Sequence, residues 1–159
     1  MIYLDYTANT PADPDVLDAY LAAERRYIAN PNSTHIAGQE ARAEMERVTQ
    51  SIAQHLGVQP AEIIYTSGAS EANNLALKGI AHASRHIGKH IISTQLEHSS
   101  VGASLSALQQ QGYEIDLLDI GRDGRVDLDQ LQELMRDDTI LVACLLYTSP
   151  SPRDRSLSR

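Results

Sequence analysis

Two short stretches hold side chains whose types and spacing can do chemistry. The first is Thr66-Ser67-Gly68-Ala69-Ser70-Glu71-Ala72-Asn73-Asn74, small and hydroxyl-bearing residues at the expected start of a helix. Small residues let a ligand approach the backbone closely. The free N–H groups of a first helical turn, with serine hydroxyls beside them, form an anion site that suits a phosphate. Taken alone, such a turn is more often simple capping than a ligand site. It is neither a Walker A loop nor a Gly-x-Gly-x-x-Gly turn. The second stretch is Glu97-His98-Ser99-Ser100, just past an expected strand at 90–94. Ligands of open α/β sheets sit outside the carboxyl ends of the strands. An imidazole there can stack on a flat heterocycle or move a proton; equally, Ser99 can cap a helix with His98 merely beside it.

Other candidates carry less. His35, His55, His82, His86 and His90 have no metal-ligand spacing and read as surface residues, so no metal site is expected. Lys78 and Lys89, the only lysines, sit in contexts typical of solvated positions, not of a buried Schiff-base lysine. Asn30-Pro31-Asn32-Ser33-Thr34-His35 reads as a plain turn.

The elements that must position these groups follow from periodicity. Asp13-Pro14 predicts a helix start, with a helix over about 15–28. Ala41, Met45, Val48, Ile52 and Leu56 recur at helical spacing before Gly57, a C-terminal cap, and Arg42 and Glu46 form an i,i+4 pair on the outer face. Strands are predicted at 62–66, 90–94, 113–119 and 139–143, and helices at 70–83, 99–111 (closed by Gly112) and from Asp127 through Arg136. Strands separated by helical patterns of 10–15 residues indicate βαβ units and an α/β fold with a mainly parallel sheet.

Composition sets the outer limits. The 159 residues are 42% hydrophobic, and all seven aromatics are Tyr, which predicts an aliphatic core. Twenty-one acidic against 13 basic residues, a net charge of -8, argues against nucleic-acid or anionic-membrane partners. No apolar run approaches the ~20 residues of a membrane span. Met1–Asp5 lacks the basic and long apolar regions of a signal peptide, so a cytoplasmic protein is expected. One cysteine, Cys144, excludes an internal disulfide. The last fifteen residues differ in kind: Ser- and Pro-rich, with Arg153, Arg155 and Arg159 against Asp154. Residues 144–159 are expected to be a disordered tail. They resemble a translated sequencing-library adapter, and begin inside what should be a buried strand.

The motifs, in their order, resemble the N-terminal part of cysteine desulfurases, in the class V aminotransferase group of pyridoxal-phosphate (PLP) enzymes. The residues that carry this are Ile2-Tyr3-Leu4-Asp5, Thr10-Pro11, Asn30-Pro31-Asn32-Ser33 with His35, Ile64 through Asn74, Glu97-His98, and Asp137 through Val142. The resemblance covers residues 1–143 and implies the N-terminal part of a fold type I large domain, incomplete here. It assigns Ala69 and Ser70 to the PLP phosphate, and His98 to stacking on the pyridine ring and to proton transfer. It implies removal of sulfur from L-cysteine, leaving L-alanine and a persulfide for a sulfur-acceptor protein in iron–sulfur or thio-cofactor assembly, and a homodimer. Thr7 and Asn9 depart from the Ala or Asn, and the Thr, usual in relatives. The family's Schiff-base lysine, pyridine-pairing Asp, carboxylate-binding Arg and nucleophilic Cys belong beyond Val142, so the 159 residues alone are expected to be inactive. The alternatives are a selenocysteine lyase or other class V enzyme, a phosphate-binding α/β module without catalysis, and an Arg/Ser-tailed interaction protein.

Overall fold

The computed structural model describes Ile2, Leu4 and residues 10–145. The Thr7 and Asn9 departures, and the expected tail beyond Leu145, lie outside the described residues. The chain divides into two units, one ending at Tyr65 and the other starting at Thr66.

The first unit holds two long helices. Helix α1 spans Pro14–Arg26; the Asp13 carboxylate accepts from Asp15 N–H at 2.9 Å and Pro14 takes the first position, where its missing N–H does no harm. Helix α2 spans Ile36–Leu56 and closes on Gly57 at φ 68°, a left-handed position that favours glycine. It starts earlier than the apolar repeat alone indicates, because His35 Nδ1 accepts from Gly38 N–H (3.2 Å) and caps it. Gly38 is needed there: a Cβ would lie 2.6 Å from the Ser33 carbonyl oxygen. The 30–33 turn therefore packs hard against α2, and Arg42 donates to the Pro31 carbonyl at 2.9 Å. That bond replaces the expected Arg42–Glu46 pair; the ion pair on this helix is Arg47–Glu44.

The expected strand at 62–66 does not form. Pro60–Glu62 is a 3-10 turn, tied by Gln59 N–H to the Glu62 carboxylate (2.6 Å). Residues 63–66 pair with no strand among the described residues. A β-rich run without a partner has no ladder to satisfy its backbone. Tyr65 instead meets the Thr49 hydroxyl at 2.7 Å.

The second unit is the α/β part: α3 (Ala69–Ala83), β1 (His90–Thr94), α4 (Ser99–Gln110), β2 (Glu114–Leu118), α5 (Leu128–Leu134) and β3 (Thr139–Val142). The strand order is β2-β1-β3, with β1 parallel to both neighbours. Every residue of β1 is buried. On one face Ile91 packs with Leu77 and Ala81 of α3 and Val101, Leu105 and Leu108 of α4. Each of the Ile, Leu and Val side chains contributes about 1.5–3 kcal/mol by leaving water. Tyr113 is the exception to an aliphatic core; its hydroxyl is satisfied by the Ala81 carbonyl (2.9 Å).

Helix α5 stops short of the expected Arg136, whose guanidinium is drawn to Glu114 (2.8 Å) and Asp138 (2.9 Å). His90 corrects the surface reading of the histidines. It has 0% exposure, with Nδ1 at 2.7 Å from Thr139 Oγ1 and Nε2 at 3.1 Å from Asp116 Oδ2. Both flanking strands thus satisfy the imidazole, which is what allows a polar ring inside the sheet. Thr139→Val, nearly isosteric, leaves a ring nitrogen without its partner; urea unfolding should show a loss of about 1–3 kcal/mol.

Candidate functional site

The site is built where two helices begin at the carboxyl end of the central strand. Strand β1 ends at Thr94, and the chain turns through Glu97 and His98 into α4. His98, in extended backbone (φ -60°, ψ 149°), is the N-cap of that helix. Its Nδ1 accepts from Ser100 N–H (3.2 Å) and lies 2.8 Å from Ser100 Oγ. Ser100 is buried, and its Oγ accepts from the Asn73 side-chain amide of α3 at 2.9 Å. One hydroxyl therefore joins the second turn of α3 to the cap of α4. The ring is itself exposed.

Ala69 and Ser70 form the first turn of α3. The first intrahelical bond runs from Ala72 N–H to the Gly68 carbonyl (3.1 Å), so the N–H groups of Ala69, Ser70 and Glu71 point out of the helix end. The Ser70 hydroxyl has no hydrogen bond among the described residues. A Cβ placed on Gly68 would meet nothing within 4 Å, so the space over this turn is open. The result is an open helix start with unpartnered N–H donors and the positive end of the helix dipole behind them.

The rest of the turn is already committed. Ser67 gives both its N–H (2.6 Å) and its hydroxyl (2.7 Å) to the Glu71 carboxylate. The Ser67 N–H first, and then its hydroxyl, hold the Glu71 carboxyl below the usual glutamate range against a smaller desolvation effect. Glu97 braces the opposite side of the site. Its carboxylate accepts from the Thr94 hydroxyl (2.7 Å) and from Leu145 N–H (2.8 Å), tying the exit of β3 to the end of β1.

The structure thus brings together His98 and, through Asn73 and Ser100, the helix that opens with Ala69 and Ser70. The sequence pointed to these two segments but did not show Asn73, Ser100, Glu71 and Glu97 as structural partners. The Ser residues of both motifs and the Asn pair of the first were the available signal: short polar side chains near helix starts bond across turns. The Asn30–His35 loop belongs to the first unit, where its visible role is to cap and pack α2. Cys144 is a half-buried free thiol, and no group of metal-ligating side chains occurs among the described residues. Among those residues, no helix is long and apolar enough to cross a membrane.

Comparison with known proteins gives this arrangement its context. Residues 2–149 match the family described as aminotransferase class-V. The chain belongs to the class V aminotransferase family. It is 43% identical over 145 residues to a human cysteine desulfurase, a match covering 91% of this chain and 32% of that protein. It is 40% identical over 144 residues to the cysteine desulfurase IscS of Dictyoglomus turgidum, covering 91% and 36%. Among solved structures, a NifS-like protein superposes with a TM-score of 0.83 at 35% identity, covering 90% of this chain and 39% of the other. DndA of Streptomyces lividans gives 0.75 at 37% identity, covering 90% and 40%. The chain spans about a third of the length of the curated relatives it matches. The fold matches the corresponding part of these solved structures, a parallel sheet flanked by helices.

Because its carboxyl is held down in the folded state, Glu71 stabilises the turn at neutral pH, and that contribution is lost as the pH falls through its lowered midpoint. A carbon-13 titration should place Glu71 below an exposed glutamate. Ser67→Ala should move it part of the way back, since the Ser67 N–H bond survives.

Proposed function

We propose that the chain supplies the phosphate-end and ring-face groups of a PLP-dependent cysteine desulfurase. The observation that carries this is the coupling of an open, unpartnered helix turn at Ala69–Ser70 to His98 through Asn73 and Ser100. Its weight comes from the relatives named cysteine desulfurases at 40–43% identity. A solved neighbour described as SspA in complex with cysteine is 34% identical, with a TM-score of 0.78.

The residues present fit such a cofactor. A phosphate dianion suits the free N–H groups of Ala69, Ser70 and Glu71 and the spare Ser70 hydroxyl, with the helix dipole behind them. The Glu71 carboxylate accepts from the Ser67 N–H and hydroxyl. PLP, when bound, supplies an electron sink that makes bonds at the substrate α-carbon breakable. His98 offers its ring face to a flat heterocycle. With Nδ1 occupied, it holds its neutral-state proton at Nε2, from where it can donate and take back a proton.

The proposed overall reaction takes sulfur from L-cysteine, leaves L-alanine and passes the sulfur as a persulfide to an acceptor protein. The cytoplasm and a homodimer, with neither nucleic acid nor membrane as partner, complete the proposal; one plant relative is named mitochondrial. The covalent anchor and nucleophile that the family uses have no counterpart assigned among these residues.

Binding of PLP to the purified chain should be displaced by inorganic phosphate, and Ser70→Ala should weaken it about tenfold by removing one charge-assisted donor. PLP binding indifferent to both would remove Ala69–Ser70 from the role. In a form of the protein that releases sulfide from cysteine, His98→Ala should lower that release by about 10²–10⁴-fold. Unchanged turnover would end the proton-transfer role.

A further inference from the structure

The hydrogen-bond directions around His98 have only one consistent solution. The Ser100 backbone N–H can only donate, and it faces His98 Nδ1 at 3.2 Å, so Nδ1 is an acceptor. The Ser100 hydroxyl, 2.8 Å from the same nitrogen, must then donate to it as well. That uses the hydroxyl's one proton and leaves its oxygen to accept, and the Asn73 side-chain N–H donates to it at 2.9 Å. All three donations run one way, from Asn73 through Ser100 to the imidazole. Ser100 is 8% exposed, so its hydroxyl orientation is set by protein groups and not by bulk water.

We propose that Asn73 and Ser100 are positioning residues that lock His98 in the tautomer with its proton on Nε2 and fix the plane of its ring. Both act through His98. The lock gives the exposed ring one proton-bearing nitrogen. It also confines proton exchange to Nε2, the nitrogen not engaged by the protein. The functional meaning rests on the reading of His98 as the ring-face group, whereas the lock itself belongs to the protein without ligand.

The test reads the tautomer directly, by long-range proton–nitrogen NMR of the imidazole in the nitrogen-15-labelled 159-residue chain, with His98 signals assigned by their loss in His98→Gln. The native chain should show one dominant species with a pyridine-type Nδ1. Ser100→Ala removes one of two donors and should raise the minor tautomer roughly fivefold. Ser100→Thr keeps the hydroxyl and should restore the native pattern. Asn73→Asp is isosteric and reverses the direction of the chain. Its carboxylate takes the Ser100 proton and turns an oxygen lone pair toward Nδ1, while the Ser100 backbone N–H still donates there, so the form protonated at Nδ1 should rise severalfold yet stay the minor one. Because Asn73→Asp alters charge and not shape, a purely structural Asn73 predicts no tautomer change in it. A native chain with both tautomers equally populated, or an Asn73→Asp spectrum identical to native, overturns the proposal. The measurement needs no cofactor, and the cofactor reading is tested separately by phosphate displacement, so the two fail independently.

Discussion

A strand buried along its whole length must find a partner for every polar atom inside the sheet, and most of the second unit follows from how β1 meets that demand. His90, Ser93 and Thr94 all lie on it with almost no exposure. His90 is satisfied by Thr139 and Asp116, Ser93 by the Ala143 carbonyl, and Thr94 by Glu97. Each of these bonds fixes a neighbour. The first two set β2 and β3 beside β1, the third holds the end of β3, and the last shapes the turn that delivers His98. An apolar strand would pack equally well but would specify none of these relations.

The site uses helix ends as electrostatic parts. Both α3 and α4 have starts without the usual Ser, Asp or Thr cap. Helix α4 is capped by the imidazole that the site presents. Helix α3 has Gly68 at its N-cap with no side-chain bond, which leaves its first donors available. In this acidic chain, the proposed phosphate site draws on backbone dipoles and hydroxyls. Glu71 is the one carboxylate in the turn, and it is tied to Ser67 by two bonds.

Much of this was legible in the sequence, for identifiable reasons. Five helices and three strands announced themselves through apolar spacing, Asp13-Pro14, Gly57 and Gly112. The strand at 62–66 failed because β-branched composition reports a preference, whereas a strand needs a neighbour to bond. His90 failed because a histidine looks polar in isolation, and its burial depends on Thr139 and Asp116, distant in sequence. For the same reason the site motifs were visible but their wiring was not. Asn73 and Ser100 are 27 residues apart, and only the packing of α3 on α4 makes them neighbours.

The brace at Glu97 has a kinetic meaning. Its bond to Leu145 spans 48 residues, and the matching bonds from Ser93 to Ala143 and His90 to Thr139 span 50 and 49. Contacts of that separation each carry the entropy of closing a long loop. The Asn73–Ser100 link closes a loop of 27 residues, which by length alone is only about 0.5 kcal/mol easier. Long-range contacts of this kind slow folding as a group, so the brace and the helix link weigh on the rate together.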